Sequence, residues 1–268
     1  MKILLIGDIV GRPGRAVVQR EVVPLREAHA IDLVIANCEN AAGGAGITPN
    51  VAEELFRAGV DVLTSGNHVW KKREAYELLK LDPRIVRPAN YPDGAPGSGS
   101  TIAETLSGEK VGVLNLMGRV FMEALDCPFR AAERELARLK LVTSVIIVDM
   151  HAEATSEKVA MGWFLDGKVS CVFGTHTHIP TADERVLPKG TGFITDVGMT
   201  GPYDSVIGRR VDQILERFLS SLHMRSEVAE ENVQLRGLIV DVDAATGKAR
   251  SVERITRTLD GAVRAAGD

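Results

Sequence analysis

Five short apolar runs in this chain each stop at residues of metal-ligand type. Residues 2–6 lead into Gly7-Asp8, residues 32–36 into Asn37-Cys38-Glu39-Asn40, and residues 61–64 into Gly66-Asn67-His68. Residues 144–149 lead into Met150-His151, and residues 169–173 into Gly174-Thr175-His176-Thr177-His178. Each run reads as a buried strand. In an α/β sheet the carboxyl ends of parallel strands gather along one edge, where ligands bind. Endings far apart in sequence can therefore converge on one site, which constrains fold and function together.

The segments between these runs support a layered α/β fold. Helices are expected over 14–29, 49–58 and 71–79, with Thr48 as N-cap and Pro49 at the first helical position. Pro24 is expected to kink or shorten the first of them. Residues 90–100 are rich in Gly, Pro and Ser and read as a loop. Residues 101–106 and 110–116 flank Ser107-Gly108-Glu109 as a hairpin, and 129–139 reads as a helix. Further strands are expected at 185–187 and 192–195, and a helix at 211–222. Residues 235–243 and 248–255 form a last hairpin across 244–247. With no internal repeat and no long linker, residues 1–268 are expected to form a single α/β domain. Its architecture is two packed mixed β-sheets flanked by helices, an αββα sandwich.

Composition removes several function classes. The chain has 268 residues, 45% of them hydrophobic, with a net charge of −4 and no basic block, so neither a duplex nucleic-acid groove nor an anionic membrane surface is indicated. Cys38, Cys127 and Cys171 are odd in number and in no CxxC arrangement, which fits reduced thiols in a cytoplasmic protein. The apolar start, residues 1–6, is too short for a signal peptide and stops at Gly7-Asp8. No apolar stretch approaches the roughly 20 residues that span a bilayer.

Taken singly, each strand end has a plain structural reading. Asp8 could cap the first helix, Glu39-Asn40 could bond to nearby amides, Asn67-His68 could form a turn, and His151 could be a packed histidine. Gly7, Gly11 and Gly14 are spaced G-x-x-x-G-x-x-G, not the dinucleotide-binding G-x-G-x-x-G. His176 and His178 are harder to dismiss. In an extended segment residues i and i+2 face the same side, so both rings could serve one cluster. Four of the six histidines fall in these motifs, while His29 and His223 fall in helix candidates. The joint occurrence favours a metal site.

In this order the motifs resemble the calcineurin-like metallophosphoesterases, whose pattern is D-x-H, G-D, G-N-H-[DE], a lone His, then G-H-x-H. Here Val10 stands where the first His is expected, Glu39 replaces the G-D carboxylate, Val69 replaces the acid after His68, and the final pair follows its glycine one residue late. These departures are similar to the bacterial YmdB-type branch, as are residues 7–14 and 196–202, and the resemblance covers nearly the whole chain. It implies a phosphodiesterase acting on cyclic nucleotides, 2′,3′-cyclic AMP among them, with a dinuclear iron or manganese centre. Mapped onto this chain, Asp8, Glu39, Asn40 and His178 would hold one metal, and Glu39, Asn67, His151 and His176 the other, with Glu39 bridging. An asparagine oxygen in place of an imidazole favours iron or manganese over zinc.

Two metals about 3.5–4 Å apart can acidify a water and offset charge on phosphate during in-line displacement. The leaving alkoxide needs a proton, and His68, beside Asn67 but turned away from the metals, is the candidate general acid. Asp149 and Asp196 could hold ligand histidines by their second nitrogen. Arg12 and Arg119 could touch phosphate, although surface solvation explains both. Three rivals stand: a phosphomonoesterase or nucleotidase on the same fold, a non-catalytic metal or nucleotide sensor, and a dinucleotide binder built on residues 7–14. The expected partner is a small phosphodiester, and a homo-oligomer is left open.

Overall fold

The computed structural model describes residues 1–222 and 224–259. The chain runs β1 (Lys2–Ile6), α1 (Gly11–His29), β2 (Leu33–Asn37), α2 (Pro49–Arg57), β3 (Val62–Thr64), α3 (Ala75–Leu81), β4 (Ser100–Glu104), β5 (Lys110–Met117) and α4 (Pro128–Leu139). It continues with β6 (Ile146–His151), α5 (Thr155–Leu165), β7 (Cys171–Thr175), β8 (Arg185–Val186), β9 (Gly192–Ile194), β10 (Gly201–Pro202), α6 (Val211–Ser220), β11 (Val233–Val242) and β12 (Ala249–Thr258).

Strand side chains alternate between two buried faces, and that alternation builds three apolar layers. Ile3 and Leu5 of β1, Leu33 and Ile35 of β2, Ile147 of β6 and Phe173 of β7 meet in one cluster between the sheets. Leu4, Ile6, Val34 and Ala36 face the other way and pack on Val17, Val18 and Val22 of α1 and Leu55 of α2. Leu114, Ile146, Val148 and Val172 pack on Leu136 of α4 and on Met161 and Leu165 of α5. At about 1.5–3 kcal/mol for each large apolar side chain buried, these layers supply the main driving force for the fold.

Both sheets are mixed. In the first, β1 pairs parallel with β2 and β2 with β3, while β11 runs antiparallel to β1, β10 and β12. In the second, β5, β6, β7 and β9 are successively parallel, with β4 and β8 antiparallel at the edges. The αββα sandwich expected from sequence is the fold observed. Both expected hairpins form, β4–β5 and β11–β12. Thr48 caps α2, its side chain accepting from the Val51 amide at 3.4 Å.

The helices depart from expectation in four respects. The first helix starts at Gly11 and runs through Pro24 to His29. Arg20 and Pro24 lie on its exposed face, where water can solvate the carbonyl that proline leaves unpaired. Asp8 does not cap it, since the N-cap is Val10 without a side-chain bond. Helix α5 was not expected at all. Its buried face carries Glu157 and Lys158 beside Met161, Gly162 and Leu165, so charge masks the apolar period. Helix α6 stops at Ser220, and His223 lies outside the described residues.

Toward their carboxyl ends the inner faces of the strands turn polar. Asn37, Thr64, Asn115, Asp149 and Thr175 are all fully buried there. Asp149 accepts from Thr64 Oγ1 at 2.5 Å, Thr175 Oγ1 at 2.7 Å and Asn37 Nδ2 at 2.9 Å, joining the two sheets beneath the edge where the five motifs emerge.

Candidate metal centre

All seven residues proposed as metal ligands gather at this edge. Carboxylate and imidazole atoms of Glu39, His151 and His176 lie within 4.8 Å of one another, and so do those of Asp8, Glu39 and His178. Glu39 belongs to both groups. Its Oε2 is 3.1 Å from His151 Nε2, and its Oε1 is 2.8 Å from Asn40 Nδ2. Asn67 Oδ1 at 3.0 Å and His176 Nδ1 at 3.1 Å also converge on His151 Nε2. Asn40 Nδ2 is 3.1 Å from His178 Nε2, which is 3.9 Å from Asp8 Oδ1.

Local structure explains how these atoms come so close. Gly66 precedes Asn67-His68, and a Cβ there would collide with the His151 ring and the Glu39 carboxylate. Asn37 Oδ1 accepts from the Glu39 amide at 3.0 Å and fixes that loop. The extended segment expected for His176 and His178 is not what forms. Strand β7 ends at Thr175, and both histidines have positive φ, 91° and 65°. The chain turns so that each ring serves a different donor group. Asp8 accepts from the His176 amide, and Asp196 from the Thr177 amide and hydroxyl, which holds this uncommon backbone in place.

The donors suit metal ions. The Nδ1 of His178 donates to the Ile207 carbonyl at 3.0 Å, and that of His151 is 2.9 Å from Thr175 Oγ1, which donates in turn to Asp149. Each bond leaves Nε2 turned toward the cluster, the arrangement that orients histidine ligands. Asp149 thus reaches His151 only through Thr175, and Asp196 holds the backbone between two histidines and not a ring.

Charge is strongly frustrated here. Burial raises the Asp8 carboxyl above its usual range against the pull of His178 and His151. Burial also opposes ionisation of Glu39, but His151 and His68 outweigh it and hold Glu39 well below the carboxylate range. His151 is fully buried, yet Glu39, Asp8 and Asp149 push it up to about 9, while burial and His151 push His176 down to about 3. Two buried carboxylates and three imidazoles within a few ångströms are a donor set that cations would balance.

Residues 4–255 match the family described as YmdB-like protein. A Bacillus subtilis (strain 168) protein named 2′,3′-cyclic-nucleotide 2′-phosphodiesterase is 47% identical over 255 residues, covering 95% of this chain and 96% of that one. The chain belongs to the YmdB-like family. Two solved structures superpose on it with a TM-score of 0.90: a hypothetical protein from Thermus thermophilus and a novel phosphatase from Mycoplasma pneumoniae. The first is 41% identical and covers 96% of this chain and 99% of its own; the second is 35% identical and covers 96% and 93%. The fold of this chain is that of the metallophosphoesterases.

In this YmdB-like protein a pocket of about 260 Å³ opens over the donors, with Glu39, Asn40, His68, His176 and His178 in its wall. His68 is not turned away as expected. Its Nδ1 lies 2.9 Å from Asn40 Oδ1 and 3.2 Å from Glu39 Oε1. Asn40 therefore presents nitrogen to the cluster and oxygen to His68, and its amide would have to turn over to offer oxygen to a metal. Arg12 and Arg119 do not line the pocket; Arg209 does. Glu153, 3.1 Å from His176 Nε2, also lines it. Arg209 lies in a loop remote from the strand-end motifs, and Glu153 lies two residues past β6 but outside the motif that ends at His151, so neither is marked in the sequence. The glycines of residues 7–14 bond to the protein's own chain, Gly7 to the Arg236 carbonyl and Gly11 to that of Asn40, which leaves no dinucleotide cradle. Among the described residues no helix is long and apolar enough to cross a membrane.

Proposed function

We propose that this protein hydrolyses phosphodiesters, with 2′,3′-cyclic nucleotides such as 2′,3′-cyclic AMP as its substrates, at a centre of two iron or manganese ions. The observation that carries the reading is the position of Glu39, whose two oxygens face two separate donor groups. The activity named for the B. subtilis relative supports the substrate class. The coarser statement, a hydrolase of phosphoric esters, is supported also by the phosphatase from M. pneumoniae.

Asp8, Glu39, Asn40 and His178 would hold one ion, and Glu39, Asn67, His151 and His176 the other. Bound there, the ions supply Lewis acidity that activates water and offsets charge on phosphate. The chain's own residues do the rest. Thr175 and the Ile207 carbonyl keep His151 and His178 in the tautomer that offers Nε2. As an imidazolium, His68 would keep one proton on Nδ1, 3.2 Å from Glu39 Oε1, and carry the other on Nε2. From there it passes to the ribose oxygen released from phosphorus.

The test is a parallel assay of metal-loaded protein on 2′,3′-cyclic AMP, bis-p-nitrophenyl phosphate and p-nitrophenyl phosphate. Turnover of both diesters is expected. Turnover of the monoester alone would replace this reading with a phosphomonoesterase, and no turnover of any would leave a sensor.

A further inference from the structure

Arg209 lines the pocket, and nothing above gives it a role. It follows Ile207 and Gly208 in a turn with positive φ at both, 46° and 93°, and the Ile207 carbonyl in that turn orients His178. Its guanidinium is braced by two neutral acceptors, the Gly44 carbonyl at 2.6 Å from Nη2 and the Ser226 carbonyl at 3.3 Å from Nη1. Gly44 belongs to the loop that carries Asn40, its amide bonding to the Asn40 carbonyl at 3.1 Å. Arg209 thus stands where two ligand-bearing loops meet over the donors. A Cβ on Gly44 would press into the guanidinium, so the glycine makes room for it.

The charge lacks what usually accompanies a sheltered arginine. Burial lowers the affinity of Arg209 for its proton, and among the described residues no carboxylate raises it again. Desolvating a charge without a counter-ion is costly, so the site favours an anion. Two carbonyls occupy two of five N–H groups, and the remaining fork matches the oxygens of a phosphate. Arg12 and Arg119, the arginines suggested by sequence, do not line the pocket.

We propose that Arg209 is the phosphate-binding cation of this pocket, donating to a substrate phosphate oxygen that the metal ions leave free. This rests on the phosphoesterase reading. Arg209 then sets affinity for the anionic substrate, and it holds the phosphate-bearing product as well, so inorganic phosphate should compete for the same contact.

The test compares metal-loaded wild type, Arg209→Gln and Arg209→Lys by inorganic phosphate binding in calorimetry, KM and kcat on 2′,3′-cyclic AMP, melting temperature and metal content. Loss of a charge-assisted fork is expected to weaken phosphate binding and raise KM by about 10- to 100-fold in Arg209→Gln. Arg209→Lys should fall between, with kcat changed less than KM and metal content unchanged. Phosphate affinity equal to wild type in either variant, with a lowered melting temperature, would make Arg209 a strap between loops and overturn the proposal. If Arg209→Gln does not fold, Arg209→Lys decides alone on the same readout. Should wild type hydrolyse no cyclic nucleotide while phosphate binding still depends on Arg209, the phosphodiesterase reading fails and this one stands.

Discussion

At Glu39 one carboxylate faces two groups of candidate donors, and the amide of His68 donates to it as well, at 3.1 Å. The His68 backbone is thereby held whatever its side chain is, while the ring itself also touches Asn40 and Glu39. His68→Gln should keep the metal content of wild type while lowering turnover of an alkyl phosphodiester by about 10²–10⁴-fold. Elemental analysis and steady-state kinetics on one preparation check this; wild-type turnover would remove the general-acid role. Asp8, Glu39, Asn67 and His151 were legible because each ends an apolar run, so strand direction alone aims them at one edge. Arg209 and Glu153 arrive at the pocket from loops, where no periodicity marks a residue. The orientation of His68 is hidden from sequence for a related reason. Its partner Asn40 is 28 positions away, and spacing carries no information about a contact of that kind.

Helix α5 ties the second sheet to the histidine turn through a buried ion pair. Lys158 is 1% exposed, and its Nζ lies 2.6 Å from Asp196 Oδ2 and 3.2 Å from Thr177 Oγ1. Asp196 in turn bonds the Thr177 hydroxyl at 2.6 Å and the Gly198 amide at 2.8 Å. Lys158→Met leaves a buried carboxylate without its counter-charge and is expected to cost about 3–5 kcal/mol, read by chemical denaturation. Adding Asp196→Asn should recover part of that loss, because the two side chains share one network. Equal stability of Lys158→Met and wild type would show the pair to be dispensable. The same pair explains why α5 escaped sequence reading: the charges that anchor it occupy the face where apolar residues are expected. Pro24 misled in the opposite sense, since its position on the wet side of α1 removed the penalty that would have ended the helix.

For the whole molecule, two sheets bury their apolar faces against each other and leave an electrostatically strained edge. Any ion that binds the folded site and not the unfolded chain stabilises the fold by mass action, by about 4 kcal/mol at a thousandfold excess over Kd. For a protein of this size that corresponds to a rise in melting temperature on the order of 10 °C. Thermal scans after chelation and after adding iron or manganese should show it. The absence of a shift with either ion would remove the dinuclear centre. The layer order was legible because uninterrupted apolar runs in β1, β2, β6 and β7 demand cover on both faces. The pairing of β1 between β2 and the late strand β11 was not, because sheet neighbours distant in sequence follow from packing and not from local pattern.

The contact between the His176 amide and Asp8 spans 168 positions, and β1, which carries Asp8 to the edge, is flanked by a strand that begins only at Val233. A nascent chain still threading the ribosome tunnel has made Asp8, Glu39 and Asn67 long before it has made His178. It then has Asp8, Glu39 and Asn40 of one proposed donor set, but neither His151 nor His176 of the other. Under the proposed function, ions would bind only once both sheets have brought these residues to one edge. Protein purified from a metal-starved culture is then expected to take up the proposed ions afterwards, to the content of protein expressed with them.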